Sequence, residues 1–262
     1  MVEYNLKNKY ALVSGGTHGI GLAICKTLAK HGVNIATFSR SDKNIQNAKN
    51  ELKEFDVKLK FIQADALDNS AADIVISNLF DDEFPRVDIL INNVGGGGRW
   101  GKESIIDTDD IVWMEVFQKN ALIAAYLTKR CLPSMVTNKW GRVITITSIY
   151  GKESGGRPWF TMAKSAEVAI MKSLSLDKGL VRNGITFNTI APGGIFIPGA
   201  GFEDEMKKDP EGFKSMIDSE YPLGRMGTPQ EVANLVAFIC SDLSALINGA
   251  QIVIDGGQTR SF

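Results

Sequence analysis

The sequence predicts an α/β fold in which about seven parallel strands form one doubly wound sheet with helices on both faces. Three observations carry this. Short apolar, β-branched runs recur along the 262 residues. Between them lie longer stretches whose apolar residues follow helical spacing. A glycine-rich stretch, SGGTHGIG at 14–21, follows the first run directly, where the first strand of such a sheet would hand the chain to its first helix. Strand alternating with helix implies parallel neighbours, because a parallel pair needs a crossover long enough to hold a helix.

The predicted strands are YALVS at 10–14, VNIATF at 33–38, VKLKFI at 57–62, VDILIN at 87–92, RVITIT at 142–147, GITFNTI at 184–190 and AQIVID at 250–255. Helical spacing marks Ile20 to Lys30, Asp109 to Met135, Thr161 to Gly179 and Pro229 to Ser241. Crossovers in such a sheet are right-handed, and ligands bind outside the carboxyl ends of the strands. The stretch 196–225 is long and breaks between short helical pieces, as a mobile substrate lid would. No Pro/Ser-rich linker or charge block divides the chain, so 1–262 reads as one domain.

With 44% hydrophobic and 23% charged residues the chain can bury a sizeable core. A net charge of −1, with basic and acidic residues interspersed, leaves no footprint for nucleic acid. Cys25, Cys131 and Cys240 lie in apolar segments at wide spacings, which suits small buried side chains in a reducing compartment better than disulfides or a metal site. His31 precedes a glycine at a helix end and His18 lies in the glycine loop, so no metal is assigned. The start, MVEYNLKNKYALV, lacks an apolar stretch before a cleavage site, and no run approaches the roughly 18 apolar residues of a membrane helix. The expectation is a cytoplasmic protein without a membrane partner. In the segment after Phe160, Ala163, Ala166, Ile170 and Leu174 form one stripe while Val168 and Met171 lie off it, which points to a homo-oligomer or to a deeply sunk helix.

The glycine loop has the spacing of a dinucleotide site in a Rossmann-type fold. Gly15, Gly19 and Gly21 allow a tight turn, close approach of the backbone to a pyrophosphate and close helix packing; Thr17, His18 and Ile20 stand with them at a helix N-terminus whose N–H groups suit phosphate oxygens. The second strand ends in TFSRSDK, with Ser39 and Arg40 and no acid before Asp42. An acid there would hold the ribose hydroxyls of NAD(H); an arginine fork suits a 2′-phosphate, and NADP(H) is the expected cofactor.

These pieces, together with Asp65-Ala66, NNVG at 92–95, Asn120, Ser148, Lys164, APGGI at 191–195 and the carboxyl-terminal GRMGTPQEVANLVAFICSD through INGAQIVIDGG, resemble the short-chain dehydrogenase/reductase family over nearly the whole chain. The resemblance implies that Asp65 and Ala66 meet the adenine, that Asn92 supports the ribose region, and that Ile195, with Pro192 and Gly193 beside it, contacts the nicotinamide end. It implies dimers or tetramers. It also implies a hydride transfer between nicotinamide and a carbonyl or alcohol, in which Lys164 holds the ribose and lowers the pKa of a tyrosine, Ser148 bonds the substrate oxygen and Asn120 holds a water behind Lys164.

The tyrosine is missing. Four places ahead of Lys164 stands Phe160, which has no proton to give. Losing a general acid costs about a hundred- to ten-thousand-fold in rate, or roughly 3 to 5 kcal/mol of barrier. A phenol stands nearby: along an extended chain residues i and i+2 share a face, so Tyr150 would point with Ser148 toward the site. The 2,4-dienoyl-CoA reductase branch, which the chain also resembles here, takes its tyrosine from the end of the same strand. Tyr150 is therefore the candidate acid; packing beneath the substrate loop is the plainer role for it. Arg99, Trp100, Arg157 and Trp159 flank the expected pocket and hint at an anionic small-molecule substrate.

Two readings of function stay open on these residues: an NADP(H)-dependent oxidoreductase acting on a carbonyl, a secondary alcohol or a conjugated enoyl group, and a non-catalytic nucleotide-binding module. A third is an ordinary carbonyl reductase inactivated by an engineered Tyr→Phe exchange at 160.

Overall fold

A computed structural model describes residues 3–102 and 104–261; the first two residues of the amino-terminal stretch discussed above lie outside the described residues. The chain builds one sheet of seven parallel strands in the order β3-β2-β1-β4-β5-β6-β7. The strands are β1 Tyr10–Ser14, β2 Asn34–Ser39, β3 Leu59–Gln63, β4 Ile89–Asn92, β5 Gly141–Ile146, β6 Ile185–Pro192 and β7 Gln251–Ile254. Strand order reverses between β1 and β4, and the crevice at that reversal, outside the carboxyl ends, is where this architecture binds ligands.

The helices are α1 Gly19–Lys30, α2 Asp42–Leu52, α3 Ala71–Leu79, α4 Asp110–Phe117, α5 Ile123–Asn138, α6 Pro158–Leu174, α7 Lys178–Val181, α8 Gly201–Lys208, α9 Pro210–Glu220 and α10 Pro229–Cys240. On one face of the sheet Ile24 and Leu28 of α1 pack with Val232 and Val236 of α10 over Val13, Ile91 and Ile144. On the other, Val75 of α3, Leu127 of α5 and Met171 of α6 close over Leu12, Leu90 and Val143. Central strands covered on both faces are largely apolar, which is why β1, β4 and β5 read as near-continuous hydrophobic runs.

Two local features bear on the site. The helical pattern predicted over 109–135 is interrupted by a π-helical turn, Gln118–Leu122, between α4 and α5. Such a turn inserts a residue without ending the helix, so the sequence gives no breaker to mark it. Helix α6 starts at Pro158, whose fixed φ and missing N–H suit a first helical position. Among the described residues no helix is long and apolar enough to cross a membrane, and no cluster of His, Cys, Asp or Glu could hold a metal ion. The three cysteines are buried and unpaired.

Candidate active site

The glycine loop is held from two neighbouring strands. Gly16 N–H donates to Thr37 Oγ1 on β2 at 2.8 Å, while Asn93, just past β4, donates through Nδ2 to the carbonyls of Ser14 at 2.9 Å and Gly15 at 3.3 Å. Ser14 Oγ accepts in turn from Asn93 and Val94 N–H. Gly15 lies at φ +65°, and a Cβ at Gly21 would run into the carbonyl oxygen of Gly15. No side chain caps the N-terminus of α1, so its first N–H groups face the cleft without an internal acceptor.

Before this loop opens a cleft of about 440 Å³. Gly15, Thr17, His18, Ile20 and Gly21 form its floor, and Ser39, Arg40, Asp65 and Ala66 close its far end. Arg40 is exposed at the rim and only loosely paired, with Asp65 at 3.8 Å, so its fork can turn to a phosphate. Lys164 lines the opposite end. Uncapped amides in the middle and a loosely paired arginine at one end are donors matched to an anionic dinucleotide; the residues present fit the cofactor that the sequence implies.

A second cavity, about 810 Å³, adjoins the cleft, and the two share Gly96, Phe160 and Ile197 on their walls. Ser148, Tyr150, Gly193 and Ile195 line it. Strand β5 ends at Ile146, so extended alternation does not carry Tyr150 into place. A 3₁₀ turn over Ile149–Gly151 does, with Ser148 as its extended cap and Ser148 Oγ accepting from Tyr150 N–H at 3.2 Å. The Tyr150 ring stands edge-on to Phe160, centroids 6.5 Å apart, and lies against Gly155 and Gly156, where a Cβ would strike it. A second phenol, Tyr221, faces the same cavity; burial pushes its pKa up, while a hydrogen bond with Gln258 opposes the rise.

Lys164 is buried. Its Nζ donates to the Ile146 carbonyl at 3.2 Å and lies 5.7 Å from the centre of the Phe160 ring. One turn further along α6, Glu167 meets it with Oε2 at 3.0 Å and Oε1 at 3.2 Å. Burial raises the Glu167 pKa to about 7 against the pull of Lys164. Asn120 sits on the π-helical turn, fully buried, and spends its carboxamide on the backbone: Nδ2 donates to Val116 O at 2.6 Å and Gly96 O at 2.9 Å, and Oδ1 accepts from Gly96 N–H at 3.1 Å.

Residues 15–259 match the family described as enoyl-(acyl carrier protein) reductase. The 3-oxoacyl-[acyl-carrier-protein] reductase FabG of Aquifex aeolicus is 30% identical over 262 residues, spanning 98% of this chain and all of the relative. The chain belongs to the short-chain dehydrogenase/reductase family. Within that family it is also 31% identical to the uncharacterized oxidoreductase YmfI of Bacillus subtilis, over 95% of this chain and 98% of that one. Among solved structures, L-sorbose reductase from Gluconobacter frateurii, complexed with NADPH and L-sorbose, superposes with a TM-score of 0.91 at 26% identity, each chain covered completely.

Measured against the expectations for a short-chain dehydrogenase/reductase, several residues lie elsewhere. Asn92 does not reach the cleft: it is buried on β4 and donates to Thr128 and Thr145 hydroxyls, so it ties β4 to α5 and β5. Asn93, one place on, faces the cleft, because side chains alternate at the strand end. Gly19 supplies a positive φ of +54° at the start of α1 and packs under Ile197 without lining the cleft. Pro192 ends β6 behind Gly193, and the Asn120 carboxamide is spent on the backbone of Gly96 and Val116. Arg99 and Arg157 are not free for an anion. Arg99 pairs with Glu205 of α8 at 2.6 Å and covers Phe202, while Arg157 donates to the carbonyls of Trp100, Gly101 and Lys102.

Sequence reasoning missed Lys119, Tyr221, Gln258 and Glu167. Lys119 lines the cofactor cleft with its ammonium 4.6 Å above the Trp100 ring; burial lowers its pKa, as do Arg40 and Lys164, against Asp65. Glu167 alone left a signal, an acid three residues after Lys164 on the buried side of an apolar helix.

Proposed function

We propose that this chain is an NADP(H)-dependent oxidoreductase that moves a hydride between the nicotinamide and a small carbonyl compound or its secondary alcohol, with Tyr150 supplying the proton that Phe160 cannot. The observation that carries this reading is the junction of the two cavities at Phe160, with the Ser148 hydroxyl and the Tyr150 phenol on the far side of it. The arginine at the adenosine end, in place of an acid, and the NADPH held by the G. frateurii reductase support NADP(H) as the cofactor.

When bound, the reduced nicotinamide supplies a hydride to the carbonyl carbon. The chain does the rest. Ser148 Oγ already accepts from Tyr150 N–H, which leaves its own proton to donate to the carbonyl oxygen. Tyr150 gives that oxygen a proton as charge builds on it, and in the reverse direction takes the alcohol's proton. Lys164, fixed by Ile146 and Glu167, presents its remaining N–H to the cofactor ribose.

The second cavity favours a neutral, hydroxylated carbonyl compound. Its arginines are engaged, and Glu205 and Glu220 stand on its wall with Gln258 and the two phenols. The L-sorbose complex of the structural relative supports the same class. Segment 196–225, tied to the glycine-rich wall by the Arg99–Glu205 pair, serves as the lid.

NADPH consumption against a panel of ketoses, simple ketones and enoyl thioesters tests the reading. Tyr150→Phe is expected to lower kcat on the accepted substrate about a hundred- to ten-thousand-fold while NADPH affinity stays within about twofold. Unchanged turnover removes Tyr150 from the mechanism. Tight NADPH binding with no turnover on any carbonyl favours the nucleotide-binding module.

A further inference from the structure

Glu167 is a carboxylate where none is cheap. Its side chain is 1% exposed, on the core side of α6, and among the described residues its one hydrogen-bond partner is Lys164 Nζ. Oε2, 3.0 Å from that nitrogen, has no well-aligned hydrogen bond of its own. Burying such a pair is costly, and an apolar residue of similar size is commonly the more stable choice at such a position. Packing therefore does not explain it.

What the carboxylate touches does. The ammonium of Lys164 lies between two side chains of its own helix: Phe160 one turn before, 5.7 Å from ring centre to Nζ, and Glu167 one turn after, at 3.0 Å. An uncompensated ammonium beside a phenol favours the phenolate and lowers the phenol's pKa; a carboxylate on the ammonium's other side cancels most of that field. Here no phenol stands at 160 to be acidified. The charge that would do so is neutralised in place, while its geometry is kept by two acceptors, Ile146 O and Glu167.

We propose that Glu167 is a positioning residue that converts Lys164 from a source of positive field into a neutralised hydrogen-bonding clamp on the cofactor ribose, and that Phe160 and Glu167 form one coupled arrangement. The inference rests on the cleft being the dinucleotide site, and it holds whichever phenol acts as the acid. Lys164 is the charged group that acts on Glu167, and Lys119, from the π-helical turn packed on α6, is the further cation that faces Lys164. Between pH 8 and 10, roughly where a phenol titrates, the Glu167 carboxyl is mostly ionised and its charge opposes that of Lys164.

The experiment introduces a reporter. Phe160→Tyr places a phenol against Lys164, and its ionisation is read at 295 nm as the difference from the parent, which cancels the five native tyrosines. The same reading is made in Phe160→Tyr/Glu167→Gln and Phe160→Tyr/Glu167→Asp. In the single variant the new phenol is expected to titrate near its ordinary value of about 10. With Glu167→Gln it should fall by about one to two pH units, and with Glu167→Asp it should return toward about 10. Equal midpoints in the single variant and the Gln double variant overturn the proposal, as does a midpoint below about 8.5 in the single variant. Should the Gln double variant fail to fold, the single variant's midpoint decides alone. None of these readings needs turnover or Tyr150, so a failure here leaves the proposed reaction standing, and a failure of that reaction leaves this pair untouched.

Discussion

Replacing Arg40 by alanine separates the two halves of cofactor recognition. The guanidinium sits at the end of β2, its side chain 64% exposed, with Asp65 at 3.8 Å as its one ion-pair partner among the described residues. A hydrogen bond to a fully charged partner contributes about 1.5 to 3 kcal/mol, and exposed ion pairs contribute about 0 to 1 kcal/mol. An arginine fork at this rim falls between, at about 1 to 2 kcal/mol, which is about five- to thirtyfold in Kd. NADPH affinity, followed by tryptophan quenching or calorimetry, is therefore expected to weaken by that factor in Arg40→Ala. NADH lacks the 2′-phosphate and should bind within about twofold of its affinity for the parent. The NADPH loss should shrink as salt is raised, because exposed charges are screened. Equal weakening toward both cofactors would refute the assignment of Arg40 to the 2′-phosphate.

Other outcomes follow from the same geometry. Gly21→Ala drives a methyl group into the Gly15 carbonyl and should abolish binding of both cofactors by calorimetry while the circular dichroism spectrum persists. Glu167 retains its proton in the folded chain up to a pKa of about 7, but in the unfolded chain only up to about 4.5. The folded state thus holds the extra proton between those values, and stability falls as pH rises through that window, by up to about 3 kcal/mol from this group. Denaturant titrations at pH 5 and 7.5 should show parent stability falling relative to Glu167→Gln across the interval; a constant difference contradicts it. Burial pushes the thiols of Cys131 and Cys240 up to about 12, and that of Cys25 up as well, so a disulfide reagent should label none of them until the chain unfolds. Ile111 and Met114 on α4 and Met162 on α6 are exposed, and sedimentation is expected to find an oligomer that a charge at Met114 dissociates.

Much of the fold was legible because buried parallel strands leave continuous β-branched runs. The seven runs locate the seven strands with ends shifted by a residue or two, as fraying ends allow. Ser39, Arg40, Ser148 and Lys164 were legible because each stands at a strand end or on the helix that faces it. The rest depended on contacts the sequence does not encode locally. Gln118–Leu122 reads as ordinary helix, yet its π-helical turn aims Asn120 at Gly96 and Lys119 at the cleft. Asn92 and Asn93 are chemically identical, and only the exact end of β4 decides which one faces the loop. Arg99 and Arg157 look free until Glu205 and the carbonyls of 100–102 are brought to them from 55 to 106 residues away. Tyr150 shares the Ser148 cavity through a 3₁₀ turn, where strand alternation had suggested the same neighbourhood by a different path.

The most direct measurement is a crystal structure of the parent protein with NADP⁺ and a slowly reacting hydroxylated ketone in the second cavity, read for the donor nearest the ketone oxygen. The account predicts the Tyr150 hydroxyl and Ser148 Oγ both within about 2.6 to 3.2 Å of that oxygen, with Lys164 on the ribose and Glu167 behind it. Tyr221 or a water in that position, with the Tyr150 hydroxyl beyond hydrogen-bonding reach, would contradict it.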